Sequence, residues 1–135
     1  MSNKINHLNM IQEVINRMSK NSFSLKGWAV TLVSGIFALS AKDTNTVYFL
    51  IAYIPIFIFW ILDSYYLLQE KLFRLLYDDV RKLNENQIDF NMDTSKFKNN
   101  IKNKYFHCLF SISEFIYLPL ALTPVLVIVI SKLVL

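Results

Sequence analysis

The chain has 135 residues, of which 54% are apolar and 15% aromatic, with a mean hydropathy of +0.36 and a formal net charge of +4. That length leaves room for one domain, and an apolar share gathered into stretches without charge excludes a typical small soluble one. A single cysteine, Cys108, excludes an intrachain disulfide and reads as an apolar side chain near a helix end.

Residues 4–20 carry Ile5, Leu8, Ile11, Ile15 and Met18 at spacings of three and four, the pattern of an amphipathic cytoplasmic helix. This stretch lacks the apolar core and small-residue cleavage site of a secretory signal, so the span after it is expected to be retained. The first span covers 24–41, around GWAVTLVSGIFALSA, and is short for a bilayer core. The second covers 46–68 and holds no charge except Asp63. It continues through 69–83 as a charged helix with an apolar stripe at Leu72, Leu76, Val80 and Leu83, where Glu70 and Arg74 are spaced to pair. A polar, Asn-rich loop fills 84–104, its apolar residues too sparse to form a face. The third span covers 106–133, with Glu114 and Lys132 as its interior charges.

The fold class is therefore all-α: an integral membrane protein with three transmembrane helices, the second continuing as a long cytoplasmic stalk, plus the N-terminal helix. A soluble bundle would need polar faces at a 3.6-residue period, and VYFLIAYIPIFIFWIL has none. Lys and Arg set the orientation. Lys4, Arg17 and Lys20 precede the first span, Lys26 sits at its inner end, and eight more lie between the second and third. Only Lys42 and Lys132 fall on the other side, a split of twelve against two. The positive-inside rule then puts the N-terminus and the long loop in the cytoplasm and the C-terminus outside. The N-terminal helix is expected to pack on the stalk, whose stripe otherwise has no cover; its rival position is flat on the lipid headgroups.

At 1.5 Å per residue, Lys26 lies about 22 Å from the outer end of its span, Asp63 about 25 Å and Glu114 about 28 Å. One cation and two carboxylates thus share a level near the inner edge of the hydrocarbon. They could line a gate, pair to fix the packing, or snorkel to the headgroups. Gly27, Thr31 and Gly35, bordered by Ser34 and Ala38, make one side of the first span narrow enough for close helix packing, against another span or a second subunit. Three spans bury little surface alone, which points to a homo-oligomer. Pro55, Pro119 and Pro124 predict local bends, and Tyr117 is grouped with the tyrosines and Trp28 of an interfacial belt.

His7 and His107 have no companions at metal-ligand spacing, and no phosphate loop or nucleophile motif occurs, so neither catalysis, a metal nor a cofactor is expected. The eight loop cations are offset by Glu70, Asp78, Asp79, Glu85, Asp89 and Asp93, which argues against nucleic acid as a partner.

The run IQEVINRMSKNSFSLKGWAVTLVSGIFALSAKD, then FWILDSYYLLQEKLFRLLYDDVR, resembles a group of short bacterial inner-membrane proteins sharing NSFxLKGWxVTLV and FWxLDxYYLxQExLFRxLY patterns. The resemblance spans roughly residues 10 to 82 and places Asn21, Lys26, Gly27, Trp28, Asp63, Tyr66, Glu70 and Arg74 in the shared pattern, without assigning them roles. In architecture the chain is similar to small multi-span effectors of anti-phage systems, which depolarise or breach the inner membrane when a sensor triggers them. This implies a channel-like or membrane-disrupting effector, a homo-oligomer in lipid that takes its signal from a cytoplasmic protein. The alternatives are a non-catalytic anchor recruiting a cytoplasmic partner through the stalk, and a receptor for a nucleotide signal.

Overall fold

A computed structural model describes residues 2–41 and 45–134, with the side chains of 98–104 left aside. The outer turn with Lys42, and the side chains of Lys98, Lys102 and Lys104, therefore lie outside the described residues. Among those described there is no strand. The helices are α1 (Asn3–Ser40), α2 (Thr46–Ile51), α3 (Tyr53–Val80), α4 (Ile101–Leu109) and α5 (Tyr117–Val134), with short 3-10 helices at Glu85–Gln87, Ser95–Asn100 and Ile112–Glu114. Three helical stretches are long and apolar enough to cross a membrane: α1, α2 with α3, and the Ile112–Glu114 turn with α5.

The expected separation of an N-terminal helix, 4–20, from a first span, 24–41, is not seen. α1 is one uninterrupted rod of 38 residues, about 57 Å long. Asn21, Ser22 and Ser24 look like the polar punctuation of a loop, but no proline or glycine is there to break the helix. The buried face also runs straight through the junction at a seven-residue repeat, Ile15, Ser22 and Ala29, so one neighbour covers both halves. That neighbour is α3, antiparallel to α1 and its largest partner in the fold.

At the charged end of the pair, Ile11 and Ile15 of α1 bury against Leu76 and Val80 of α3. The N-terminal residues thus cover the stripe of α3. The loop 84–104 is more structured than its composition suggests. Ile88, Met92 and Phe97 close over the same cluster, and α4 begins at Ile101, inside the predicted loop. These apolar residues form no face of their own because each fills a gap in a face built by two helices. Leu83 lies one turn beyond the end of α3 rather than in the helix, with Leu83 N–H donating to the Val80 carbonyl at 3.1 Å.

Polar contacts fasten this end. The Glu85 carboxylate accepts from the first amides of α1, Asn3 N–H at 2.5 Å and Lys4 N–H at 3.4 Å, where a helix offers unpaired donors and positive dipole. His7, fully buried, sits 3.0 Å from the Asn91 carbonyl through Nε2 and packs on the ring of Phe90, which adopts the left-handed φ of 56°. Lys96 donates to Asp79 at 2.8 Å.

Prolines place the other two interruptions. The second stretch breaks at Ala52 and the third over 110–116, and Pro55 and Pro119 each stand three residues beyond the break. A proline lacks the N–H that would reach the carbonyl four residues back and crowds that carbonyl with its ring. The third span is therefore not one helix over 106–133. α4 stops at Leu109, a 3-10 turn covers Ile112–Glu114, and α5 starts at Tyr117 with Pro119 in its first turn. Pro124 lies inside α5 without ending it: the Leu120 carbonyl it leaves unpaired accepts the Thr123 hydroxyl at 2.7 Å.

The accessible surface is 9107 Å², against about 7,400 Å² for a compact monomer of this mass. Only 17%, 17% and 11% of the three apolar windows is buried inside the fold, so most of their side chains face outward. Ile15→Ala should destabilise the α1–α3 pair by about 2–5 kcal/mol, read as a lower melting temperature of the purified protein in detergent. The hydrogen bond from Lys96 holds the Asp79 carboxyl below the usual carboxylate range. Its contribution is therefore complete above that range and is lost as pH falls through the depressed value, below about pH 4. Limited proteolysis of segment 84–97 should accelerate there, and Lys96→Ala should remove this component of the pH dependence.

Candidate functional site

Where the charged half of α1 meets its apolar half, Lys26 turns inward. Its Nζ stands 2.5 Å from Asp63 Oδ2 on α3 and 3.8 Å from Glu114 Oε1 in the 3-10 turn before α5. The structure thus brings together the three ionisable residues that share a level in the sequence. Lys26 does not snorkel, its side chain being 16% exposed, and Asp63 and Glu114 are buried. A buried carboxylate is tolerated only when paired and hydrogen-bonded. Asp63 meets that condition. Its Oδ1 accepts from the Ser22 hydroxyl, and its Oδ2 accepts from Lys26 and, at 3.0 Å, from the Tyr117 hydroxyl. Lys26 also donates to the Ser22 oxygen at 2.9 Å, one helical turn back.

Ser22 and Tyr117 were not legible as members of this cluster. Ser22 lies four residues before Lys26, on the same face of α1, which is the signal that could have found it. Tyr117 is fully buried, so its assignment to an interfacial belt is corrected. Trp28 and Tyr65 are exposed. Trp60 supports the site from α3. Its ring stacks on Tyr117 with centroids 6.4 Å apart, and its Nε1 donates at 2.9 Å to the Leu109 carbonyl, left free where α4 ends. Ser64, next to Asp63, bonds back to the Trp60 carbonyl at 2.8 Å. The cluster therefore ties α1, α3 and the start of α5 together, with the broken segment docked beside it.

Other expected residues fall elsewhere. Gly27, Thr31, Ser34, Gly35 and Ala38 are all exposed, and a methyl group added at either glycine would touch nothing. The narrow face of α1 thus points away from the other spans. The Thr31 hydroxyl donates to the Gly27 carbonyl at 2.9 Å, along its own helix. Leu72, Leu76 and Val80 are 2%, 4% and 3% exposed, so they are core rather than free contact surface, and Leu83 is half-buried. Cys108 is buried against Leu67, Leu68 and Leu72. Among the described residues no group of three His, Cys, Asp or Glu is placed to hold a metal ion.

No family model, curated protein or solved structure matches the chain. The reading of the site rests on its own residues.

Asp63→Asn should cost about 3–5 kcal/mol, because it leaves the Lys26 ammonium inside the bundle without its counter-charge. The double variant Lys26→Met with Asp63→Leu should recover most of that loss. Thermal unfolding in detergent of both single variants and the double completes the cycle; equal melting temperatures for Asp63→Asn and the wild type would sink the assignment.

Proposed function

We propose that the three apolar helices span the bacterial inner membrane with the His7–Asn91 end in the cytoplasm, and that the chain is a channel-like or membrane-disrupting effector, suited to a defence module. In this reading it is a non-enzymatic homo-oligomer in lipid, and the Lys26–Asp63–Glu114 layer is the latch of its closed state. A cytoplasmic protein acting on the α1–α3 end supplies the trigger. The observation that carries the reading is the latch: a lysine shared between two buried carboxylates, one on a helix and one in a break between helices. A charge pair that only glued two spans would need one carboxylate. A second one, on a segment with its own freedom to move, gives Lys26 an alternative partner and the bundle a second arrangement.

Two further observations support it. The outward face at Gly27, Thr31 and Gly35 suits close packing of a second copy. The twelve-to-two distribution of Lys and Arg supports the orientation. An anchor recruiting a partner through Leu72, Leu76 and Val80 would need that stripe exposed, and α1 and the 84–97 segment cover much of it.

The test is membrane potential in cells expressing the chain from an inducible promoter, followed with a voltage-sensitive dye. Asp63→Asn should depolarise cells within minutes of induction at a protein level where the wild type does not. Arg74→Ala, which removes an exposed ion pair with Glu70 away from the latch, should leave the potential unchanged. Gly35→Leu added to Asp63→Asn should restore the potential if subunits pack on that face. No depolarisation by Asp63→Asn at matched protein level would remove the latch.

A further inference from the structure

Charge does not balance in the buried layer. Among the described residues Lys26 is the one cation facing two carboxylates, and it is committed to Asp63 at 2.5 Å, against 3.8 Å to Glu114. Asp63 also takes the Ser22 and Tyr117 hydroxyls, so donors meet its charge from two neighbouring helices. Glu114 has nothing comparable. Its side chain is fully buried, and neither carboxyl oxygen has a hydrogen-bond donor. An ionised carboxylate in that position would be both unsolvated and unpaired, the arrangement that proteins avoid most strongly.

We propose that Glu114 is a proton-binding site: it carries a proton in the arrangement described, and losing that proton draws Lys26 away from Asp63. Three features favour a proton as the bound species. A protonated carboxyl needs only an acceptor for its O–H, and the Ser111 hydroxyl, in the same turn, is a second buried oxygen without a partner. A hard metal cation takes about six or more oxygens together, and among the described residues only Glu114 and Ser111 offer unpaired buried oxygens in this turn. Among the described residues the charged and titratable groups around Glu114 are Lys26 from α1, Asp63 from α3, Tyr117 from α5 and the Cys108 thiol from α4. Of these only Lys26 would be drawn to an ionised Glu114. Proton release therefore leaves two carboxylates competing for one ammonium. The inference deepens the latch reading by naming its ligand, and it rests on the layer staying dry rather than on whether the assembly conducts.

Difference infrared spectroscopy of the full chain in lipid nanodiscs, titrated from mildly acidic to mildly alkaline buffer, tests it without any current being measured. The wild type should show the carbonyl band of one protonated carboxylic acid that bleaches on titration. Glu114→Gln should lack it, while surface carboxyls cancel in the difference between the two proteins. A pH indicator should count one fewer releasable proton per chain in the variant. Circular dichroism matching the wild type certifies that the variant is folded, and Glu114→Asp, which keeps the acid, should retain a band at a shifted position. No protonated band in the wild type, or a band unchanged in Glu114→Gln, overturns the proposal. So does a layer that responds to exchange of sodium for potassium but shows no protonated acid. A proton at Glu114 with no effect on membrane potential would leave this site standing and remove only the effector reading.

Discussion

Asp63 is one carboxylate receiving donors from three side chains on two other helices. Ser22 and Lys26 approach it from α1 and Tyr117 from α5. Apolar packing between helices is tolerant of rotation, because one leucine surface resembles another. Hydrogen bonds to a buried anion are not, because a donor that turns away leaves a charge in a medium of low dielectric. Asp63 therefore fixes which face α1 and α5 turn to α3. The apolar clusters at residues 67–72 and 76–80, both towards the charged end, set how tightly the helices sit there.

Breaks in the spans follow the same logic of satisfied polar groups. Where α4 ends, the free carbonyl of Leu109 is taken up by Trp60, and where Pro124 interrupts α5 the Thr123 hydroxyl serves Leu120. The break before α5 brings Glu114 close to Lys26 on a single turn rather than within a long helix. A carboxylate on such a turn can shift with fewer backbone bonds lost than one held mid-helix.

The three apolar helices could be read from hydropathy alone, because uncharged stretches of that length have few other uses. The level shared by Lys26, Asp63 and Glu114 was also within reach, since a constant rise per residue converts position into depth. What could not be read was set by contacts between distant segments. Asn21, Ser22 and Ser24 look like a linker until Asp63 is known to need the Ser22 hydroxyl. Ile88, Met92 and Phe97 look isolated until the groove they fill has been built by α1 and α3. The interruption before Tyr117 was hidden because an apolar run looks the same whether or not its backbone is continuous.

The continuity of α1 has a mechanical consequence. Its N-terminal amides rest on Glu85, its flank on Leu76 and Val80, and its Lys26 on Asp63, all on one rod without a hinge. The stretch from Asn3 to Lys26 is about 35 Å of unbroken helix. Turning the rod at one end by the angle of a single residue would carry Lys26 about a quarter turn from its seat, and would lift Ile11 and Ile15 from theirs. The tail of this small chain and its charged layer thus move as a crankshaft and its far journal do, geared to one another with little slack between them.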